Sequence, residues 1–293
     1  MTDQIYYAGV LGSPIAHSKS PDIHQAAYQY LAAPIRYERF DLTQQQVDSF
    51  MASLPQRYGS TKYLAGFSVT MPLKAALVPY MAQLSSRVER LGVLNTVVFD
   101  REGIAHGYNT DVDGVRHALS TANLASTTVG SMGILGAGGT ASAAIAAAAD
   151  MGLSEVVLYV RNPDRAKDNL TVAEHYGLEA QLRKLTEFPQ KVQAHQAVVS
   201  TLPAFAADWL VEQLPAQNLP PLLDVIYEPW PTALASAWQT AGAHVASGLD
   251  MLLYQGVEQV KLFTKKVLEQ HTHNDWAIVT DQMATALGIA RKV

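Results

Sequence analysis

The residues best suited to bind a ligand lie in a glycine-rich stretch near the middle of the chain, GILGAGGTASAA at positions 133–144. Gly136, Gly138 and Ala141 have the G-x-G-x-x-[GA] spacing that opens the first helix of a dinucleotide-binding βαβ unit. Gly136 would allow the tight turn, Gly138 a close approach of pyrophosphate to the backbone, and Ala141 close packing of helix on strand. The alternative is a Gly/Ala-rich turn before a buried helix. The following AAIAAAAD helix and EVVLYV strand favour the nucleotide site.

Two arginines follow the second strand of this unit. A site for NAD has Asp or Glu there to hold the ribose hydroxyls, whereas this chain has Arg161, with Arg165 one helical turn later. Two cations at this place suit a 2′-phosphate and favour NADP. The alternative is a pair of surface arginines without a ligand.

A lysine and an aspartate are candidates for proton transfer. We expect Thr70 to cap a helix whose first turn contains Pro72 and Lys74. The helix dipole repels a cation there and would favour proton release, although a surface lysine is also tolerated at such a position. Asp111 leads into a predicted helix over about 112–122. It is either part of the helix cap or a carboxylate that pairs with Lys74, and the spacing leaves both open.

Hydroxyl and amide side chains supply a candidate site for a small polar ligand. In the loop GSPIAHSKSP, Ser20 followed by Pro21 predicts an N-cap and a helix over about 21–33, with Ser18 just outside it. Ser18 and Ser20 beside a positive helix end would bind a carboxylate, or Ser20 only caps the helix. Asn95 lies in an apolar, strand-like run, so its amide is a structural hub or a ligand contact.

The elements that would position these residues alternate between strand and helix. In the N-terminal part, three predicted strands alternate with two helices, which indicates an α/β domain. After the glycine loop the same alternation implies a parallel, doubly wound sheet that binds its ligand at the carboxyl ends of the strands. The predicted strands are Tyr6–Leu11, Tyr37–Phe40, Leu64–Thr70, 155–160, 178–182, 197–201, 222–227 and 244–247. Two amphipathic helices after Gly248 have no following strand and are expected to return to the first domain.

Length and composition limit the class of protein. The 293 residues favour two domains, which we place at 1–111 with 248–293 for the substrate and catalysis, and at 112–247 for the nucleotide. A net charge of −5 gives no basic field for nucleic acid or anionic lipid. The absence of cysteine excludes disulfides, thiolate catalysis and Cys-ligated zinc.

Neither a metal nor a membrane is expected. His271 and His273 are the nearest approach to a metal pair, in a polar loop that we expect to face solvent. The N-terminus lacks a basic segment followed by an apolar core, and no run of about 18 apolar residues occurs. We therefore expect a cytoplasmic protein that acts on a small molecule.

Together these motifs resemble those of the shikimate dehydrogenase family, nearly end to end. SPIAHSKSP resembles the family's substrate-carboxylate loop, SVTMPLK its catalytic-lysine segment, and LNT and NTD its substrate asparagine and catalytic aspartate. GAGGTA and the two arginines resemble its NADP site, and GLDMLLYQ resembles the segment that ends in a substrate-contacting glutamine. The roles that the resemblance implies are catalysis for Lys74 and Asp111; substrate binding for Ser18, Ser20, Ser68, Thr70, Asn95, Tyr227 and Gln255; and cofactor binding for Gly136, Ala137, Gly138, Gly139, Thr140, Ala141, Arg161, Arg165, Thr201 and Gly248.

The resemblance implies a substrate domain joined to a Rossmann-type NADP-binding domain, in a monomer or homodimer. The implied reaction is the reversible, metal-free reduction of 3-dehydroshikimate to shikimate in aromatic amino acid (chorismate) biosynthesis. Arg161 argues against the nearest alternative, an NAD-dependent quinate/shikimate dehydrogenase. The joint presence of Lys74, Asp111 and the two amides argues against a non-catalytic binding or redox-sensing module.

Two positions depart from the family pattern. Ser68 stands where many members have asparagine, so this shorter side chain must reach the substrate through water or leave it to other residues. Val160 replaces the asparagine that commonly precedes the cofactor arginine. Both changes leave the Lys74 and Asp111 pair intact. They bear on the affinity for substrate at Ser68 and for cofactor at Val160.

Overall fold

The computed structural model describes residues 4–120, 130–268 and 275–289. The strands are β1 Tyr6–Gly12, β2 Ile35–Asp41, β3 Leu64–Val69, β4 Gln83–Leu84, β5 Thr96–Phe99, β6 Ala105–Tyr108, β7 Ser131–Leu135, β8 Glu155–Val160, β9 Glu179–Lys184, β10 Ala197–Ser200, β11 Leu222–Asp224 and β12 Val245–Ser247. The helices are α1 Ser20–Tyr30, α2 Val47–Tyr58, α3 Ser86–Leu91, α4 Asp111–Ser120, α5 Gly139–Asp150, α6 Lys167–His175, α7 Phe188–Lys191, α8 Ala233–Thr240, α9 Gly248–Thr264 and α10 Trp276–Ala286. Short 3₁₀ turns include Val78–Tyr80 and Pro163–Ala166.

The chain forms two compact units. The first comprises Met1–Thr110 and Gln255–Val293, and the second comprises Asp111–Tyr254. The second crossing between the units therefore lies within α9, whereas the sequence places the domain boundary at the start of that helix.

The first unit is built on a mixed six-stranded sheet in the order β2-β1-β3-β5-β6-β4. β1 pairs in parallel with β2 and β3, and β5 runs antiparallel to both β3 and β6. In this register Ser68 lies opposite Val10 on one side and Thr96 on the other. The carboxyl ends of β1 and β3 therefore lie next to the start of β5. The adjoining segments carry Ser18, Thr70 and Asn95.

Small residues allow the C-terminal helices to pack against this unit. A Cβ atom on Gly66 of β3 would lie 2.2 Å from a ring carbon of Phe263, so α9 approaches the sheet closely there. A Cβ atom on Gly256 would lie 2.5 Å from Ile23 of α1, and α10 also packs against α1. The expected return of the terminal helices to the first domain is confirmed.

The second unit contains a fully parallel sheet in the order β12-β11-β10-β7-β8-β9. Read from β9, this is the 3-2-1-4-5-6 strand order of doubly wound nucleotide-binding folds. The order reverses between β7 and β10, and the ends of these two strands are the place where such folds bind ligands. The predicted doubly wound α/β architecture is confirmed.

Two local predictions were wrong. No helix begins at Thr70: the segment that carries Lys74 forms turns, with Leu73 N–H donating to the Thr70 carbonyl (2.9 Å). Pro72 disfavours helical geometry at the residue before it, and Pro79 could not donate a helical hydrogen bond. Ser20 is the first residue of α1 rather than its N-cap, which is Lys19.

Across the described ranges, every helix is too short or too polar to span a lipid bilayer.

Among the residues that the structure describes, each unit buries one neutral histidine. In the first, His24 Nδ1 lies 2.9 Å from the Tyr28 hydroxyl and Nε2 lies 3.2 Å from Gln259 Oε1. In the second, His195 lies between the hydroxyls of Ser131 and Tyr159, at 2.7 and 2.8 Å. Burial lowers the pKa of His24 from 6.5 to about 3, partly opposed by the Gln259 hydrogen bond. Burial, aided by the charge of Arg183, lowers the pKa of His195 to about 4.

We expect the protein to lose stability as the pH falls. Unfolded histidine binds a proton near pH 6.5, whereas the folded rings bind one only near pH 3 and 4. Below about pH 6.5 the unfolded state therefore binds more protons, and stability is lost from there down to about pH 4. Urea unfolding should show a lower midpoint at about pH 5 than at about pH 7.5, with a weaker pH dependence in His24→Gln. A wild-type midpoint that is constant over this range would contradict the prediction.

Candidate active site

The loop after β1 brings the two predicted carboxylate-binding serines together. The backbone N–H of Ser20 donates to Ser18 Oγ at 3.3 Å. Arg39, on the neighbouring strand β2, donates to the Ser18 carbonyl at 2.9 and 3.3 Å and so holds the loop in place. Both hydroxyls thus lie at the positive end of the 11-residue helix α1, in an arrangement that suits a carboxylate.

The chain that leaves β3 carries Thr70 and Lys74. The backbone N–H of Thr70 donates to the Leu11 carbonyl at the end of β1 (2.9 Å). The backbone carbonyl of Lys74 accepts from the N–H of Leu94 at 3.0 Å. Hydrogen bonds of the backbone therefore fix the lysine segment between the end of β1 and the start of β5.

Asn95, with 2% of its surface exposed, is the hub of a buried polar network. Its Oδ1 accepts from the Thr110 backbone N–H (2.7 Å) and from the Thr96 hydroxyl (2.7 Å). Its Nδ2 donates to Thr110 Oγ1 (3.0 Å) and to Gln255 Oε1 (3.3 Å). The structure thus brings together two of the predicted substrate residues, Asn95 and Gln255.

A second branch of the network contains Ser68. Ser68 Oγ accepts from the Tyr37 hydroxyl at 2.6 Å and donates to Gln259 Oε1 at 2.7 Å. Gln259 Nε2 in turn donates to the Asn95 carbonyl (3.1 Å) and to Thr96 Oγ1 (3.0 Å). Burial raises the pKa of Tyr37, an effect opposed by hydrogen bonds with Ser68 and Ser20 and by the charge of Arg39. The Tyr37 hydroxyl therefore connects β2 to the end of β3.

Four residues of this site were missed by the sequence analysis: His24, Tyr37, Arg39 and Gln259. Two of them had a signal in their spacing. Gln259 follows Gln255 by one helical turn on α9, and His24 follows Ser20 by one turn on α1, so each shares a helix face with a predicted site residue. Tyr37 and Arg39 were hidden because their contacts depend on the pairing of β2 with β1.

In the second unit, the glycine loop has the geometry that phosphate binding requires. Gly136 has a φ of 104°, and a Cβ atom there would lie 2.5 Å from Thr201 Oγ1, whose hydroxyl donates to the Leu135 carbonyl (2.8 Å). Gly138 is the extended N-cap of α5. A Cβ atom on Gly138 or Gly139 would meet no atom within 4 Å, so both backbones border open space. The loop therefore fits a dinucleotide at the N-terminus of α5.

The remaining cofactor-loop residues and the two arginines follow the predicted order. Ala141 is fully buried in α5, while Ala137 and Thr140 are half-buried in the loop and the first turn. Arg161 follows β8 directly and Arg165 lies in the next 3₁₀ turn, and both side chains are exposed. They stand at the carboxyl end of the strand next to β7, where either a 2′-phosphate or solvent would surround them.

Gly248 and Tyr227 belong to neighbouring segments of the second unit. A Cβ atom on Gly248 would lie 2.1 Å from the Val225 carbonyl oxygen, and the Gly248 N–H donates to the Ile226 carbonyl at 3.3 Å. Only glycine allows this close approach. Burial, followed by the charge of Glu228, raises the pKa of the half-buried Tyr227.

The two predicted catalytic residues belong to different units. Asp111 is the first residue of α4 in the second unit and is 5% exposed, whereas Lys74 is half-buried in the first unit. Across residues 4–120, 130–268 and 275–289, no group of three His, Cys, Asp or Glu side chains could hold a metal ion. His271 and His273 lie outside these ranges.

The second unit has a doubly wound nucleotide-binding fold, and the first is an α/β unit with a buried network of hydroxyls and amides. Together they define the class of protein: an oxidoreductase that uses a dinucleotide and acts on a small polar substrate. The family profile of the shikimate dehydrogenase substrate-binding domain matches residues 10–97 of this chain. The NADP(+)-dependent shikimate dehydrogenase of Oleidesulfovibrio alaskensis is 32% identical over 275 residues, which cover 90% of this chain and 91% of that protein. The chain belongs to the shikimate dehydrogenase family.

Solved structures agree with this assignment. The shikimate dehydrogenase of Mycobacterium tuberculosis is 35% identical, with a TM-score of 0.81 over 97% of this chain and 98% of that one. The enzyme of Thermus thermophilus, solved in complex with NADP(H) and shikimate, is 28% identical, with a TM-score of 0.74 over 96% of this chain and 100% of that one.

The open space beside Gly138 predicts a selective effect of a single methyl group. Gly138→Ala has an allowed backbone (φ −92°), so we expect no significant loss of stability. The methyl group would enter the space meant for phosphate and weaken NADP⁺ binding by roughly 10–100-fold through lost N–H contacts. Calorimetric titration with NADP⁺, beside thermal unfolding, measures both effects.

The matched control is Gly136→Ala. Its positive φ and the contact with Thr201 should destabilise the protein by about 1–3 kcal/mol. Unchanged NADP⁺ affinity in Gly138→Ala would show that the loop does not hold the pyrophosphate.

Proposed function

We propose that this protein reversibly reduces 3-dehydroshikimate to shikimate with NADPH, a step of aromatic amino acid biosynthesis. The observation that carries this proposal is the buried network that joins Ser68, Asn95 and Gln255 in one unit. Its amides and hydroxyls suit a polyhydroxylated ring, and family membership supports the same reaction.

NADPH, when bound, supplies the hydride that reduces the ring ketone. The chain's part is to hold the dinucleotide: the N–H groups of the glycine loop and of the first turn of α5 bind the pyrophosphate. Arg161 and Arg165 bind the 2′-phosphate, since a guanidinium can make two parallel hydrogen bonds to it. Thr201 and Gly248 shape the site around the nicotinamide.

On the substrate side, Ser18 and Ser20 donate hydrogen bonds to the carboxylate and so fix the orientation of the ring. Asn95, Gln255 and Thr70 contact the ring hydroxyls, with Tyr227 closing the site. The positive end of α1 adds to the attraction for the carboxylate.

Lys74 completes the chemistry by donating a proton to the oxygen of the reduced ketone, and it regains a proton from solvent. Asp111 orients the lysine and accepts a hydrogen bond from a ring hydroxyl. Shikimate oxidation runs the same steps in reverse, with Lys74 accepting the proton.

The alternative activity is oxidation of quinate or shikimate with NAD⁺. Arg161 and the absence of a carboxylate directly after β8 disfavour it. We further propose a cytoplasmic enzyme that acts as a monomer or homodimer and, given its net charge of −5, does not bind nucleic acid.

Initial rates for shikimate and quinate, each with NADP⁺ and NAD⁺, test the proposed function. We expect the highest kcat/KM for shikimate with NADP⁺. A higher value for either substrate with NAD⁺ would favour the alternative, and no turnover with any pair would refute both.

Replacing Lys74 tests the proton-transfer role. Lys74→Met should lower kcat by about 10²–10⁴-fold, the usual loss for a positioned acid or base, with a smaller change in KM. Lys62→Met, at an exposed lysine of the same unit, is the control and should leave kcat unchanged. A Lys74→Met enzyme that keeps more than half of the wild-type kcat would remove this lysine from the mechanism.

Replacing Arg161 tests the choice of cofactor. Arg161→Ala should weaken NADP⁺ by about 10–100-fold, because charge-assisted contacts to the 2′-phosphate are lost, and it should barely alter NAD⁺. Lys167→Ala serves as the control, since this nearby exposed cation pairs with Asp164 at 3.0 Å. Steady-state kcat/KM for both cofactors measures the effect, and an unchanged value for NADP⁺ would place Arg161 in solvent.

A further inference from the structure

Ser68 is buried near the carboxyl end of β3, and the structure shows the partners of its hydroxyl. Tyr37, Ser68 and Gln259 form a continuous chain of hydrogen bonds. The direction in which each proton points decides what Ser68 can offer a ligand. The inference drawn from it rests on the proposed function, because it concerns the same substrate site.

Backbone groups fix the orientation of the Gln259 amide. The Asn95 carbonyl can only accept, so the Gln259 atom 3.1 Å from it must be the nitrogen. The same nitrogen lies 3.0 Å from Thr96 Oγ1, whose proton goes to Asn95 Oδ1. Asn95 Oδ1 is identified in turn by the Thr110 backbone N–H that donates to it. Gln259 Oε1 therefore faces Ser68 and His24.

The protons along the chain follow from this orientation. Gln259 Oε1 has no hydrogen, so the 2.7 Å contact with Ser68 Oγ must contain the serine proton. Because the Ser68 proton is donated to Gln259, the 2.6 Å hydrogen bond between Tyr37 and Ser68 must be donated by the Tyr37 hydroxyl. His24 Nε2, 3.2 Å from Oε1, carries the ring hydrogen for the same reason.

We propose that Gln259 is a positioning residue for substrate recognition, which holds the Ser68 proton away from the ligand so that Ser68 acts only as an acceptor. Ser68 then recognises a ring hydroxyl that donates a hydrogen bond to its Oγ atom. It disfavours a carbonyl or carboxylate at that position, because such a group can only accept.

Neutron diffraction from wild-type crystals soaked in shikimate tests the proton positions without a mutation. We expect the Ser68 deuteron between Oγ and Gln259 Oε1, with a shikimate hydroxyl donating to Ser68. A Ser68 deuteron that points to shikimate would overturn the inference.

A double-mutant cycle tests the functional consequence. Ser68→Ala and Gln259→Leu should each raise the KM for shikimate by about 3–10-fold, the effect of one neutral hydrogen bond, with NADP⁺ binding unchanged. If Gln259 acts through Ser68, the KM of the double variant should be no higher than that of the single variant with the larger effect. Glu258→Gln, one position earlier on α9 and paired with Lys261 at the surface, is the control.

Several outcomes separate this inference from the proposed function. Multiplied KM effects in the double variant, or a lower Tm for Gln259→Leu with an unchanged KM, would overturn the inference and leave the proposed function standing. A wild-type protein that neither oxidises shikimate nor binds it in calorimetry would overturn both.

Discussion

A buried side-chain amide must find hydrogen-bond partners, and in this protein that requirement organises the candidate substrate site. Asn95 directly precedes β5, close to the carboxyl ends of β1 and β3. Its side-chain amide and backbone carbonyl are hydrogen-bonded by Thr110, which precedes α4, and by Gln255 and Gln259 of α9. An unpaired amide here would cost about 1–3 kcal/mol, so the network also stabilises the packing of α9 on the sheet.

A different constraint governs the second unit. Its strand order reverses between β7 and β10, and the backbone at Gly136 turns sharply beneath Thr201 at that point. A Cβ atom on Gly138 would meet no atom within 4 Å, so the loop borders open space there. The strand order and the glycine loop are therefore those of a general dinucleotide-binding unit.

The sequence predicts what depends on local pattern and leaves out what depends on partners far along the chain. The glycine spacing, most of the strands and the doubly wound class could be read from the residues, and Asn95 was recognised as needing partners, whereas β4 and β6 were missed. The helix expected after Thr70 failed because two prolines outweighed a plausible cap. Gln259 lies 191 residues from Ser68 in the chain, so their contact could emerge only with the fold. Its spacing from Gln255 was the one available signal.

The central claim is that the two units together perform one NADPH-dependent reduction, with the first unit recognising a hydroxylated ring acid. The most direct measurement follows 3-dehydroshikimate and NADPH through a single progress curve, with shikimate quantified by chromatography. The account predicts that one molecule of shikimate forms for each NADPH consumed, at a rate that depends on the enzyme concentration. NADPH consumption without shikimate formation, or no reaction at all, would contradict it.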